Sequence, residues 1–352
     1  MKIPPEKMDM EQIAKWLGVS KTTVHYAIRN TGRLSVKTRK RVLTAVRKVG
    51  YRPSGLARSF RRSRADTLGV VLVSLANSIH AHLLEGIESV ARQNKHTMLV
   101  ACSHGISDVE RELIEVFMEQ GVDGLVVVPC DPRQNQGYYR GLIEKGIRLV
   151  FVDREIHGLD AEIVTTDHEK GAYLEAKHLI ELGRRRLVCV ATRSPRQRST
   201  SVQHRIHGVN RALREAGLEP ATVLGTDPPD FAVHEQYGYN VMSDYLKGAA
   251  GRFDAVCAVH DDLAYGVIRA LTEFGMRVPK DVAVVGFDDQ DPSAYFQPTL
   301  TTVRQPMREI GMEAGRLLFR RLNEPAMDAA RQRIVLEPTL IVRESSGTIV
   351  RT

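Results

Sequence analysis

Lys21, Thr22 and Tyr26 share the first turns of one predicted helix, and together they offer an ammonium, a hydroxyl with a methyl, and a phenol. Side chains of those types at the N-terminal half of an exposed helix are suited to reading base edges in a DNA major groove. A pair of short helices has to hold them there. In MEQIAKWLGVSKTTVHYAIRN, Ile13 and Ala14 lie on one helix, Gly18 follows four residues after the Ala, and Val24 and Ile28 fall on one face of a second helix. The small Ala allows a close crossing and the Gly allows a left-handed turn, which is helix-turn-helix spacing. Ser20 is placed to cap the second helix by accepting an amide near Thr22 or Thr23. The plainer reading of the same spacing is an ordinary helical hairpin with a polar face.

The charge distribution favours the DNA reading. No Asp or Glu occurs from Gln12 to Ala65, and residues 1–64 carry 17 Lys and Arg against 3 Asp and Glu, a net of +14. Because the whole chain is only +8, residues 65–352 are net acidic at −6. Solubility alone does not call for a basic segment joined to an acidic body, whereas a phosphate-binding module does.

A third helix is expected after Ser35, with Val36, Val42, Leu43 and Val46 on its apolar face and Gly50 as a stop. Residues 1–52 then form an all-α headpiece. The following YRPSGLARSF allows one or two turns of helix over 53–65, too short to be stable alone. From Leu68 the texture changes to apolar strands alternating with amphipathic helices, first from LGVVLVS to RLVFVD and again from EIVTTD to DVAVVGFDD. That alternation predicts an α/β core over 66–352 made of two doubly wound lobes. Their expected extents are 66–164 with 305–323, and 165–304 with 324–345.

Other classes are disfavoured. No apolar run is long enough to span a membrane, and MKIPPEKMDM lacks the apolar centre of a signal peptide, so the cytoplasm, in association with the nucleoid, is the expected compartment. Cys102, Cys130, Cys189 and Cys257 are far apart and lie in or beside apolar runs, as reduced thiols packed in a core would. No phosphate-cradling Gly loop, nucleophile elbow or zinc-protease motif is present, so no catalytic residue and no cofactor is assigned. His80 with His82 and His204 with His207 have paired spacing but no third ligand nearby in sequence, so no metal site is assigned either.

Over almost its full length the chain resembles the lactose/galactose-repressor (LacI/GalR) family. The resemblance rests on IAKWLGVSKTTVHYAIRNTGRLSVKTRKRVLTAVRKVGYRPSGLARSF, on LGVVLV followed by NSIHAHLLEGIE, on GVDGLVVVP, FVDR and HLIELGRRRL, and on GMRVPKDVAVVGFDD and PTLTTVRQP. It implies a headpiece, a hinge helix and a periplasmic-binding-protein-like core, acting as a homodimer on a pseudo-palindromic double-stranded DNA operator and switched by a small molecule, with sugars the expected class. The short ending SSGTIVRT leads us to expect a dimer without a heptad-helix tetramer. By position the resemblance makes Lys21, Thr22 and Tyr26 base-reading residues, with Thr23 and His25 beside them on the DNA-facing helix. It puts Arg29, Arg33, Ser35 and Thr38 at the backbone, and Ser54, Ala57 and Arg58 on the hinge helix. Phe60 stands where the family usually has the Leu that wedges into the minor groove, and Arg29-Asn30 replaces a more usual Asn-Gly.

The same comparison assigns the effector cleft to Ile79, His80, Asp153, Arg154, Arg205, Phe231, His260, Asp261, Asp288 and Gln305. A sugar site needs paired hydrogen-bonding groups and an apolar plate. Asp153, Arg205, Asp288 and Gln305 suit the first need and Phe231 the second. Taken without the resemblance, Asp288 serves equally well as a loop cap and Arg205 as a salt-bridged surface residue. Two rival functions share the core: a transport-type solute-binding module, which the basic headpiece argues against, and a bifunctional α/β enzyme with a DNA-binding appendage, which turnover by the core would reveal.

Overall fold

The computed structural model describes residues 8, 10–29, 32, 34–49, 65–76, 78–131, 133–191, 199–225, 234–248, 253–323 and 330–347. The chain divides into two compact units, Met1–Ala65 and Asp66–Thr352. The expected hinge helix, with Ser54, Ala57, Arg58 and Phe60, lies outside the described residues, as do Asn30, Arg33, Phe231 and the Arg29 side chain.

In the first unit, α1 (Met10–Leu17), α2 (Lys21–Arg29) and α3 (Val36–Lys48) close on a core of Ile13, Ala14, Leu17, Val24, Ala27, Val42, Ala45 and Val46. Gly18 takes φ +63° between α1 and α2, and the Val19 N–H closes the end of α1 on Ala14 O at 3.0 Å. Ser20 Oγ caps α2 through the Thr23 N–H, and Ser35 Oγ caps α3 through the Thr38 N–H, both at 3.1 Å. Two of the basic residues serve the fold. Arg41 donates to Leu17 O at 2.8 Å, and Arg39 donates to Tyr26 O and Gly32 O at 3.2 and 3.3 Å, taking up carbonyls at helix ends. Val36 departs from its expected core place: it is 84% exposed, because the first residue of α3 falls outside the stripe that Val42, Ala45 and Val46 bury.

The second unit runs in order β1 (Thr67–Leu72), α4 (Ser78–Gln93), β2 (Thr97–Cys102), α5 (Ser107–Glu119), β3 (Gly124–Val127), α6 (Gln136–Glu144), β4 (Leu149–Val152) and β5 (Glu162–Thr166). There follow α7 (His168–Glu181), β6 (Leu187–Val190), α8 (Thr200–Glu215), β7 (Thr222–Leu224), α9 (His234–Lys247), β8 (Ala255–Ala258), α10 (Asp261–Glu273), β9 (Ala283–Asp288), β10 (Thr301–Arg304), α11 (Met307–Asn323), β11 (Arg333–Leu336) and β12 (Thr339–Ile341). One sheet has the order β11-β5-β4-β3-β1-β2 and is parallel throughout; the other has the order β12-β10-β9-β8-β6-β7, with only β12 antiparallel. Strands β3, β4, β8 and β9 are buried along their whole length, as expected where helices cover both faces. No helix among the described residues is long and apolar enough to cross a membrane.

The lobe limits differ from the expected ones in two places. EIVTTD does not open the second lobe: β5 pairs with β4 in the first sheet, where Val164 joins the core and the Glu162 carboxylate holds Arg321 and the Gln332 N–H. The closing stretch 324–345 is shared rather than given to the second lobe. In it β11 extends the first sheet beside β5 and β12 extends the second beside β10, and the intervening Glu337-Pro338 carries the chain across.

Helix pairs set the spacing of the layers. A Cβ on Gly86 of α4 would lie 2.1 Å from Arg308 O, and one on Gly311 of α11 would lie 2.2 Å from Leu83 O, so only glycine allows these two backbones to touch.

Candidate functional site

On α2, Lys21, Thr22 and Tyr26 are exposed, with Tyr26 at 39%, while Val24 and Ala27 are buried on the opposite face. Lys21 Nζ lies 3.5 Å from Glu11 Oε2 in a pair so exposed that it contributes little and is easily exchanged. Thr23 is half-buried with its hydroxyl 2.8 Å from Ser20 Oγ, and His25 is half-buried with its ring 6.2 Å from that of Tyr26. Ser35 and Thr38 hydroxyls are 2.8 Å apart in the equivalent cap of α3. The surface therefore presents two helix-capping junctions and three outward-facing side chains, carried on a unit of strongly positive charge.

In the second unit the expected cleft residues gather where parallel strands end. Asp153 follows β4, Asp288 is the last residue of β9, His260 lies between β8 and α10, and Gln305 follows β10. Both aspartates have positive φ, +69° at Asp153 and +124° at Asp288, a backbone strain of the kind found at binding sites. Arg205 reaches them from α8. Its Nη1 is 3.4 Å from Asp288 Oδ1 and it donates to Val259 O, while its Cζ sits 3.7 Å from the centre of the Phe287 ring. Gln305 Nε2 donates to Asp288 Oδ1 at 2.7 Å, and His260 Nδ1 lies 3.2 Å from Asp288 Oδ2 and 3.0 Å from Arg205 Nη1. One nitrogen cannot be both donor to the Asp and acceptor from the Arg, so the tautomer of His260 decides which neighbour it serves.

His168, the first residue of α7, links this group to the first lobe. Its Nε2 is 3.0 Å from Asp153 Oδ1, and its Nδ1 accepts from Arg205 Nε at 3.4 Å. A continuous chain runs Asp153, His168, Arg205, Asp288, Gln305. Burial alone would raise the Asp288 carboxyl, but Arg205, His260 and Gln305 outweigh it and hold that carboxyl below its usual value. Asp153 likewise is pushed up by burial and brought down further by His168, Arg154 and Arg205. Burial lowers His260 and His80 despite the nearby aspartates, favouring neutral imidazoles. Within the group, the buried Gln305 Oε1 has no hydrogen-bond partner among the described residues. Such an atom in a closed network invites a donor from outside the protein.

The remaining expected residues divide. His80 Nδ1 donates to Ser74 O, and the ring lies close enough to Asp153 and Asp288 to feel their charge. Arg154 ties the loop after β4 to Pro129 O and Cys130 O, at 3.0 and 3.2 Å. Ile79 packs on the core of the first lobe. Asp261 does not join the chain. It is 0% exposed, and its oxygens accept from Thr302 Oγ1 at 2.6 Å, Ser293 Oγ at 2.7 Å and Gln290 N–H at 2.8 Å, fastening α10 to the loops that follow β9 and to β10. Burial and Asp288 raise its carboxyl to about 7. His168 and Phe287, which do join, carry no sequence signal beyond lying at a strand end and a helix start.

An exposed polar helix on a basic three-helix unit, continued in one chain by a two-lobed core with a charged network at its strand ends, is the layout of a DNA-binding regulator with a periplasmic-binding-protein-like core. Residues 9–54 match the bacterial regulatory proteins of the lacI family, and residues 176–346 match the periplasmic binding protein-like domain. The chain is 30% identical over 338 residues to the HTH-type transcriptional regulator RegA of Clostridium saccharobutylicum, covering 96% of this chain and 98% of RegA. It is 29% identical over 341 residues to the HTH-type transcriptional repressor PurR of Vibrio vulnificus (strain CMCP6), covering 96% and 98%. The lac repressor dimer bound to operator and the anti-inducer ONPF has the same fold, with a TM-score of 0.83 at 24% identity over 97% of this chain and 99% of that one. The chain belongs to the LacI family, whose members are DNA-binding transcriptional regulators and not enzymes.

Proposed function

We propose that this regulator is a repressor that binds a pseudo-palindromic operator as a homodimer and is switched by a small polyhydroxylated molecule, a sugar or sugar derivative, held between the lobes of its core. The observation that carries the effector reading is the chain from Asp153 to Gln305. It joins groups at the strand ends of both lobes, two of them on strained backbone, and leaves Gln305 Oε1 without a partner among the described residues. Vicinal hydroxyls suit it, because each can donate to one carboxylate or amide oxygen and accept from Arg205. Phe231 is assigned as the apolar plate against the ring. Each operator half-site is assigned to Lys21, Thr22 and Tyr26, backbone contact to Arg29, Arg33, Ser35 and Thr38, and the central minor groove to Phe60. The dimeric operator complex of the lac repressor supports that arrangement.

A thermal-shift screen of sugars and sugar acids against the full chain tests the reading, since a ligand of the native state raises Tm by mass action. The hit should change operator affinity, and operator should change its affinity by the same factor. Asp288→Ala and Arg205→Ala should each weaken the hit more than tenfold; both staying within a factor of two of the unsubstituted protein would refute the site.

A further inference from the structure

In the first sheet, at the end opposite to Asp153, where the parallel strands begin, lies a second group of polar side chains. Asp66, His96 and Asp123 each immediately precede a strand, β1, β2 and β3 respectively, and those strands are neighbours in the order β3-β1-β2. With Thr67 aligned to Thr97 and Leu68 to Gly124, the three residues come together although 30 and 27 positions separate each from the next in sequence. One ligand atom from each lies within 4.8 Å of the others. The His96 and Asp123 side chains are 9% and 4% exposed.

The orientation of the imidazole is informative. His96 Nδ1 donates to Asn94 O at 2.8 Å, which turns Nε2 toward Asp123. That Nε2 is buried and makes no hydrogen bond among the described residues, although Asp123 Oδ2 is only 3.2 Å away. An imidazole nitrogen and a carboxylate oxygen side by side at that separation call for something positive between them, a proton or a cation. Adjacent ligands of a tetrahedral Zn²⁺, bound at about 2.0–2.2 Å, stand at about that spacing. The outer contacts also suit a metal ligand set: the Asn94 carbonyl orients the imidazole, the Thr67 N–H donates to Asp123 Oδ2 at 3.2 Å, and the edge of His96 packs on Phe319 at 4.8 Å.

We propose that Asp66, His96 and Asp123 bind a divalent transition-metal cation of the Zn²⁺ type, with solvent completing its coordination. One imidazole with two carboxylates favours such an ion over Mg²⁺, which prefers oxygen ligands in an octahedron. The site is separate from the proposed effector cleft by the length of the strands, about 20 Å for six residues at 3.3 Å each. Asp66 is the first residue of the second unit, so the cation would fasten the start of β1 to the two strands beside it.

The test is Zn²⁺ titration of the metal-stripped full chain in competition with a chromophoric chelator, with Asp66→Asn and His96→Gln alongside. Asn tolerates the positive φ of +53° at position 66, so Asp66→Asn preserves the backbone and decides the matter should His96→Gln fail to fold. The unsubstituted chain should bind one equivalent more than Asp66→Asn, or bind it at least 100-fold more tightly, and Co²⁺ at the site should give visible absorption that Asp66→Asn lacks. Equal stoichiometry and affinity in the chain and in Asp66→Asn would overturn the proposal. So would displacement of Zn²⁺ by Mg²⁺ at equal concentration, which would indicate a hard-cation site instead.

Discussion

Tyr26 stands beside Thr22 one helical turn away, on the side of α2 that the headpiece core leaves uncovered. If that side reads bases, Tyr26→Ala should cost about 1–3 kcal/mol on the preferred operator and relax selection at one or two positions of the half-site. Selection from randomised duplexes checks this, and an unchanged half-site would remove Tyr26 from the reading set. Asp261 makes a different prediction. Its folded pKa of about 7 lies above the ordinary 3.8, so the native state keeps a proton that the unfolded chain releases. The stabilisation this gives is complete below about pH 4 and is lost as pH rises to about 7, with a slope of at most about 1.4 kcal/mol per pH unit. Urea unfolding of Asp261→Asn across that window should lack this component, and identical pH profiles would show that Asp261 does not titrate there. The caps at Ser20 and Ser35 are readable in the sequence because donor and acceptor are three residues apart. Asp153, Arg205, Asp288 and Gln305 become candidates only through the family resemblance, and His168 not at all, because its partners are 15 and 37 positions away and only the folded sheet brings them close.

Between elements, the contact of α4 with α11 turns on Gly86 and Gly311. An added methyl at Gly311 would meet backbone that cannot rotate aside, so Gly311→Ala should cost about 1–3 kcal/mol in chemical denaturation. A methyl added to Gly137 of α6 would have nothing within 4 Å of it, and Gly137→Ala should be neutral or stabilising by up to about 1 kcal/mol. Equal destabilisation by the two substitutions would mean that close helix contact is not what position 311 requires. Helices and strands of the core are legible locally, the helices from an apolar face that repeats every 3.6 residues and the buried strands from short continuous apolar runs. Which sheet a strand joins is not. Nothing local in EIVTT distinguishes a last strand of one lobe from a first strand of the next; Glu162 settles it through Arg321 and the Gln332 N–H, on segments 159 and 170 residues later.

For the whole molecule, the contrast between a +14 headpiece and an acidic remainder predicts operator binding that weakens steeply with salt. Arg33→Ala should weaken operator and random duplexes alike and reduce the salt slope by about 1 per subunit; a loss confined to operator would make Arg33 a base-reading residue. The two sheets of the core, meanwhile, are each drawn from separated stretches: the first from 67–166 and 333–336, the second from 187–304 and 339–341. Consider recombination between two genes for such regulators. A crossover near residue 65 gives offspring in which each sheet descends from a single parent. Any crossover between 166 and 333 sets β11 from one parent beside β5 from the other, and any between 304 and 339 does the same to β12 and β10. A crossover near residue 65 therefore passes on a headpiece without dividing either sheet, whereas crossovers inside the core divide at least one.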